Sequence, residues 1–201
     1  AGDGNDLLIF ASASELSGDA TVIGGADTDT VRMDTGVAAL SLASSDFAKV
    51  TQVETLALNG TGTQSVTLGG QTDSAFASGI TITTQAGATS LNLAGGASTV
   101  SINATGTNGG DTLTGGSAAD TLAGGDGADS ITGNGGADSL DGGTGNDLLV
   151  FASAAELSGD ATVIGGADTD TVRMDSGTAA LSLASSDFAN VTQVETLALN
   201  G

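Results

Sequence analysis

Five aspartates recur at nine-residue intervals, Asp111, Asp120, Asp129, Asp138 and Asp147, and each is followed two positions later by an aliphatic residue: Leu113, Leu122, Ile131, Leu140 and Leu149. The register leaves few folds open. A three-residue strand can send only its middle side chain inward, and the six residues before it must reverse the chain, with glycines supplying the positive φ of so tight a turn. Two such nonapeptides complete one coil, with their turns on opposite sides. Asp111, Asp129 and Asp147 then fall on one edge of the stack, and Asp120 and Asp138 on the other. Stacked coils lie about 4.8 Å apart. Carboxylates in such a row would repel by roughly 3 kcal/mol per adjacent pair at an effective dielectric near 20. A cation is expected between them, held by a carboxylate from each of two stacked turns and by backbone carbonyls that glycine leaves accessible. Calcium suits an irregular all-oxygen cage better than magnesium, and zinc is disfavoured because the chain has no His and no Cys.

Two copies carry the full pattern, Gly124-Gly125-Asp126-Gly127-Ala128-Asp129-Ser130-Ile131-Thr132 and Gly142-Gly143-Thr144-Gly145-Asn146-Asp147-Leu148-Leu149-Val150. Both read G-G-x-G-x-D-x-U-x with U aliphatic. Over residues 106–150 the chain resembles the RTX (hemolysin-type) calcium-binding repeat proteins, in particular those of bacterial surface layers and large adhesins. The other copies depart from the pattern: Ala118 and Asn134 each replace a glycine, and the first copy keeps only Gly106 and Gly109 in frame. The resemblance implies a right-handed parallel β-helix or β-roll with several bound Ca2+ ions. It also implies export through a type I channel and folding on contact with extracellular calcium. A Gly/Asp-rich stretch can also be a solvated linker, but disorder has no reason to hold an aliphatic residue in phase.

Further calcium candidates lie outside that block. Asp6 is the repeat counterpart of Asp147. In Gly24-Gly25-Ala26-Asp27-Thr28-Asp29, and in its copy from Gly165, the pairs Asp27/Asp29 and Asp168/Asp170 stand in a related turn whose third glycine is replaced by Asp. These carboxylates either bind calcium or cap turn amides.

Residues 4–60 reappear as 145–201, an offset of 141, with only Ile9/Val150, Ser14/Ala155, Thr35/Ser176, Val37/Thr178 and Lys49/Asn190 different. The chain therefore divides into looser coils over 1–105, the nonapeptide block over 106–150, and the start of a second unit over 151–201. Both ends fall within the pattern, as expected of a window from a longer tandem array. The looser part keeps a strand rhythm in Val31/Met33, Leu40/Leu42, Leu56/Leu58, Val66/Leu68, Ile80/Ile82, Leu91/Leu93 and Val100/Ile102. These pairs predict an all-β solenoid throughout. Short helical turns are expected at 12–17 and over 44–54, where Phe47, Val50 and Val53 have helical spacing. The five Phe residues are expected to plug the core at such corners.

With 24 acidic and 3 basic residues and a net charge of −21, the composition argues against nucleic acid or an anionic membrane surface as partner and favours dications. No apolar run is long enough to insert into a bilayer. The absence of His and Cys removes the triad, zinc-protease and thiol chemistries, so no enzyme activity is expected. Glu15, Glu54, Glu156 and Glu195 read as capping or surface groups. Arg32 should face outward and pair with a neighbouring acid or an adjacent protomer.

Three functions remain. The first is a structural repeat of a secreted surface layer, fibre or adhesin stalk at the bacterial cell surface, associating with copies of itself, because near-identical tandem units give equivalent interfaces. The second is the calcium-dependent folding and secretion module of an exoenzyme or toxin. The third, a minor one, is a polysaccharide- or ice-binding surface formed by Thr81, Thr83, Asn92 and Asn103.

Overall fold

A computed structural model describes residues 2–19, 21–177 and 181–200. Thr178, the counterpart of Val37, and the terminal residues Ala1 and Gly201 lie outside them. The chain winds as a parallel solenoid. One face is a nine-stranded sheet stacking Leu7–Phe10, Thr30–Gly36, Thr55–Gly60, Ile80–Thr84, Ile102–Thr105, Thr121–Asp126, Ser139–Thr144, Thr162–Ala167 and Val191–Thr192 in that order. The facing eight-stranded sheet stacks Leu40–Leu42, Thr63–Thr67, Ser90–Ala94, Thr112–Thr114, Ser130–Thr132, Leu148–Phe151, Thr171–Asp175 and Thr196–Asn200. Val22–Ile23 and Val50–Thr51 form a further parallel pair.

The nonapeptide strands behave as their pattern requires. Leu122, Leu140 and Val163 share one inward column of the first sheet, and Leu113, Ile131, Leu149 and Val172 share one in the second. All seven are buried. Coils advance 18 residues at a time here, Thr121 lying beside Ser139. They are longer in the first part of the chain, where Leu7 pairs with Thr30 and Thr63 with Ser90.

In these longer coils the inward pairs from Val31/Met33 to Leu91/Leu93 are buried, with two corrections. The strand after Ser101 begins at Ile102 and turns Ile102 and Ala104 inward, leaving Val100 half-buried. In Thr63–Thr67 the inward pair is Gln64 and Val66, with Leu68 buried just beyond the strand.

The extra length of these coils includes short helices. α1 (Ala13–Gly18) starts at Ser12, whose Oγ accepts the Glu15 N–H at 3.1 Å. Glu15 Oε2 in turn accepts the Ala11 N–H at 2.6 Å, so the two side chains satisfy otherwise orphaned amides. α2 (Gly70–Ala75) lies in a later coil, and α3 (Ala154–Gly159) is the repeat copy of α1.

The helix expected over 44–54 is only a 3-10 turn at Ser44–Phe47, where Asp46 accepts the Ala43 N–H at 2.9 Å. Gln52 has φ +54, which no right-handed helix permits, and Val50 sits in a strand, so Val50 and Val53 are buried from non-helical backbone. Phe47 meets Phe76 edge to face at 5.6 Å between centroids. Phe10, Phe47, Phe76 and Phe151 are buried and Phe188 is partly buried, all against the one core.

The internal repeat does not keep its face. Leu7–Phe10, Thr30–Gly36 and Thr55–Gly60 belong to the first sheet, whereas their copies Leu148–Phe151, Thr171–Asp175 and Thr196–Asn200 belong to the second. The 141 residues therefore carry the chain through a whole number of coils plus one half.

Candidate metal centre

Each nonapeptide aspartate follows the turn and points its carboxylate back along the stack. Asp129 Oδ1 accepts the Asp111 N–H at 2.7 Å, Asp147 Oδ1 accepts the Asp129 N–H at 2.8 Å, and Asp170 Oδ1 accepts the Asp147 N–H at 2.8 Å. Glu195 Oε2 continues the row from the Asp170 N–H at 2.8 Å. On the opposite edge Asp120 Oδ1 accepts the Ile102 N–H, Asp138 Oδ1 the Asp120 N–H and Asp160 Oδ1 the Asp138 N–H, at 2.7, 2.8 and 3.2 Å. The start of the chain carries a third row, in which Asp29 Oδ1 accepts the Asp6 N–H at 2.7 Å and Glu54 Oε2 the Asp29 N–H at 2.8 Å. Carboxylates one coil apart therefore do not simply face one another across a gap. One oxygen of each is spent on the backbone of the preceding coil.

The second oxygen is the one left available to a ligand. Oδ2 of Asp29, Asp129, Asp138, Asp147, Asp160 and Asp170 is buried and has no hydrogen-bond partner. Asp111 Oδ2 instead accepts from Thr107, Asp120 Oδ2 from the Gly116 N–H at 2.6 Å, and Asp6 Oδ2 from the Gly2 N–H at 2.8 Å. An unpaired buried carboxylate oxygen is costly unless a proton or a cation meets it.

The turn provides a recess for such a cation. A β-carbon on Gly124 would lie 2.2 Å from Asp129 Oδ2 and 2.4 Å from the Gly142 carbonyl oxygen of the next coil. Only glycine leaves that space between a carboxylate and a carbonyl. The same pair of oxygens recurs at Gly165, from Asp170 Oδ2 and the Gln193 carbonyl, outside the strict motif.

The ten aspartates predicted from sequence thus separate. Asp111, Asp120, Asp129, Asp138 and Asp147 form the two rows, and Asp29 and Asp170 extend the pattern to looser turns. Asp6 is half-buried and heads its row. Asp27 and Asp168 are exposed on the outside of the turn at φ +74 and +84, where Asp27 Oδ2 accepts the Gly4 N–H at 3.1 Å. Asp27 thus caps a turn amide of the preceding coil.

Sequence spacing missed Asp160, Glu54 and Glu195. They are 22 to 25 residues from their row neighbours rather than 18, and only the hydrogen bonds across coils put them in line.

Burial pushes the carboxyls of Asp120, Asp138, Asp147 and Asp170 above the ordinary range. Asp129 is pushed up to about 7, first by burial and then by the charges of Asp111, Asp147 and Asp126. Outside the rows, Arg32 faces outward and pairs with Asp34 at 2.7 Å, and Asn59 of the next coil donates to the same carboxylate at 2.6 Å. These bonds hold Asp34 below the usual range. Thr81 and Asn103 are neighbours in the first sheet, but Asn92 lies in the second, so the four residues of the suggested polar rank do not share a face.

Among the described residues no three carboxylates converge on one point. A metal here must draw most of its ligands from backbone carbonyls, which suits a hard cation such as calcium. The family model described as RTX calcium-binding nonapeptide repeat (4 copies) matches residues 105–133 and 114–149. Residues 105–149 are an RTX calcium-binding tract. No curated protein and no solved structure matches the chain.

The RTX tract binds Ca2+ and makes this chain a calcium-binding structural repeat. Its residues fit the ion. Asp129, Asp138 and Asp147 offer unpaired buried oxygens, and the glycine turns offer carbonyls. Bound calcium would supply the positive charge that these rows lack.

Proposed function

We propose that the chain is a calcium-stiffened structural repeat of a secreted bacterial surface polymer: a surface layer, an extracellular fibre or an adhesin stalk. In this reading the chain leaves the cell unfolded through a type I channel and folds outside, where calcium is plentiful. No catalytic role is proposed.

One observation carries the reading. The second repeat unit joins the RTX tract without a seam. Asp147 is both the last nonapeptide aspartate and the first carboxylate of the next unit, and its row runs on through Asp170 and Glu195. Both sheets also cross the junction in register, Ser139–Thr144 with Thr162–Ala167 and Leu148–Phe151 with Thr171–Asp175. A junction of this kind lets near-identical units stack into a continuous rod whose sheets have no internal edges.

The test is a calcium titration of the chain, followed by far-UV circular dichroism and by electron microscopy of the endpoint. Gain of β-structure together with ordered filaments or lattices is the expected result. Folding into dispersed monomers would move the assignment to the folding and secretion module of an exoenzyme or toxin.

A further inference from the structure

The strands Ile80–Thr84 and Ile102–Thr105 lie side by side in the first sheet, with Thr81 beside Asn103 and Ile82 beside Ala104. Ile82 and Ala104 are buried, so the alternating side chains of Thr81, Thr83, Asn103 and Thr105 face outward. Along the stack Ala57 adjoins Thr83 and Ala123 adjoins Thr105. No bulky group stands beside the two threonines, and the outer face is hollow there. The hollow has a volume of about 540 Å3 and is walled further by Gln85 and Asn108. A second hollow, of about 320 Å3, shares Thr81 and Asn103 and reaches back to Ser78 and Ser101. Together they make one groove along the strands, roughly 20 Å from Gly79 to Gln85 at about 3.3 Å per residue.

The polar side chains of this groove are unspent. Thr81, Thr83, Gln85, Asn103, Thr105 and Asn108 make no side-chain hydrogen bond to the described residues. Outward groups elsewhere are paired: Ser139 with Thr162 at 2.8 Å, Thr144 with Asp126 at 2.9 Å, and Asn59 with Asp34. None of the six is charged, in a chain whose net charge is −21. Glu54 borders the second hollow, but its carboxylate is bonded to the Asp29 N–H.

The chemistry of the six selects the ligand. Each hydroxyl both donates and accepts, and each amide does so through its two ends. A metal ion finds no carboxylate among them, and an anion meets no cation and is repelled by the charge of the chain. An apolar ligand would leave the groups unpaired. A peptide strand adds at a sheet edge, whereas Ile80–Thr84 is paired on both flanks. A neutral, densely hydroxylated chain meets all these conditions.

We propose that this groove binds a neutral oligosaccharide, with Thr81 and Asn103 at its centre. The chain has no Trp or Tyr, and its Phe side chains are packed against the core, so no aromatic ring is offered to a sugar face. Binding rests on hydrogen bonds and is weak, with a dissociation constant on the order of 1 mM. The site stands on its own residues and does not depend on whether the chain is a surface polymer.

The test is amide NMR of the whole, calcium-loaded chain titrated with cellohexaose, maltohexaose and N-acetylated chitohexaose to about 20 mM, well above that constant. Shifts confined to amides of residues 78–87 and 101–108, with at least one of these sugars, are the expected result. Asn103→Ala and Thr83→Val should each weaken that binding by about fivefold, the loss of one hydrogen bond. Thr67→Val, exposed on the second sheet, should leave it unchanged. No shift with any of the sugars, shifts elsewhere on the chain, or equal affinity in all variants overturns the site. Should either groove variant fail to fold, the shift map of the unaltered chain decides. Tighter binding of an oligogalacturonate, bridged through calcium, would overturn the neutral assignment.

Discussion

The RTX tract and the coils before it are one solenoid held together in two ways. In the tract each nonapeptide buries a single large side chain, Leu113, Leu122, Ile131, Leu140 or Leu149, so one apolar group serves nine residues. In the longer coil running from 55 to 79, Leu56, Leu58, Val66, Leu68 and Phe76 are all buried, about twice that density. The carboxylates show the opposite trend, for most of the buried unpaired oxygens lie in the tract and its continuation. Burial of apolar surface can hold the first region. The second has traded core for ligands, and its order is expected to depend on calcium.

Removing calcium is the strongest way to break the comparison. Hydrogen exchange in chelator should rise at least about a hundredfold across 106–150, corresponding to loss of an ion held at a hundred times its dissociation constant. Amides of the coils at 55–94 should lose much less protection. Equal loss in both regions would mean that the apolar coils cannot stand without the tract.

Point substitutions should divide in the same way. Leu56→Ala is expected to cost about 2–5 kcal/mol with or without calcium, as a cavity in a packed core. Asp129→Asn should lower the midpoint of urea unfolding in calcium and leave it unchanged or raised in chelator, because the amide removes a buried charge that only the ion compensates. A loss of equal size in both conditions would show that Asp129 acts mainly through its hydrogen bond to Asp111.

The pH dependence sharpens the contrast further. In chelator Asp129 and Asp160 have carboxyls pushed up to about 7, from a reference of 3.8. Between these values the folded chain binds more protons than the unfolded chain. The contribution of these two groups to stability is therefore greatest below about 4 and is lost as pH rises through about 7. Thermal melts in chelator should show a lower Tm at pH 8 than at pH 5, and saturating calcium should remove or reverse that slope.

The smallest effect concerns glycine. Gly124→Ala should weaken calcium binding, since its β-carbon would lie 2.2 Å from Asp129 Oδ2. Gly70→Ala, with open space around it at the start of α2, should change neither calcium binding nor Tm measurably.

Much of this was readable in the sequence where the chain keeps a strict period. The nine-residue register assigned Asp111 and Asp129 to one edge and Asp120 and Asp138 to the other, because nothing but the period decides it. The short helix expected at 12–17 is present as α1, and the structure adds its capping by Ser12 and Glu15. Asp160 and Glu54 were not legible because their alignment is set by amides of the preceding coil, whatever length of chain intervenes. The turn after Phe47 misled because Phe47, Val50 and Val53 have helical spacing, while the left-handed backbone at Gln52 is stabilised only by its place in the stack. Asp27 and Asp29 have the same composition and near-identical surroundings in sequence, yet one faces solvent and the other the core.

The half coil left over in each repeat has a consequence for any tandem run of such units. The Arg32–Asp34–Asn59 cluster lies on the first sheet, and its copy around Arg173, Asp175 and Asn200 lies on the second. Successive units then relate by an approximate two-fold screw along the rod, and the true axial period is two units. Such a rod has no unique front or back. It offers the same contacts on both flanks, half a period out of step, which is the symmetry from which a ribbon can widen equally to either side.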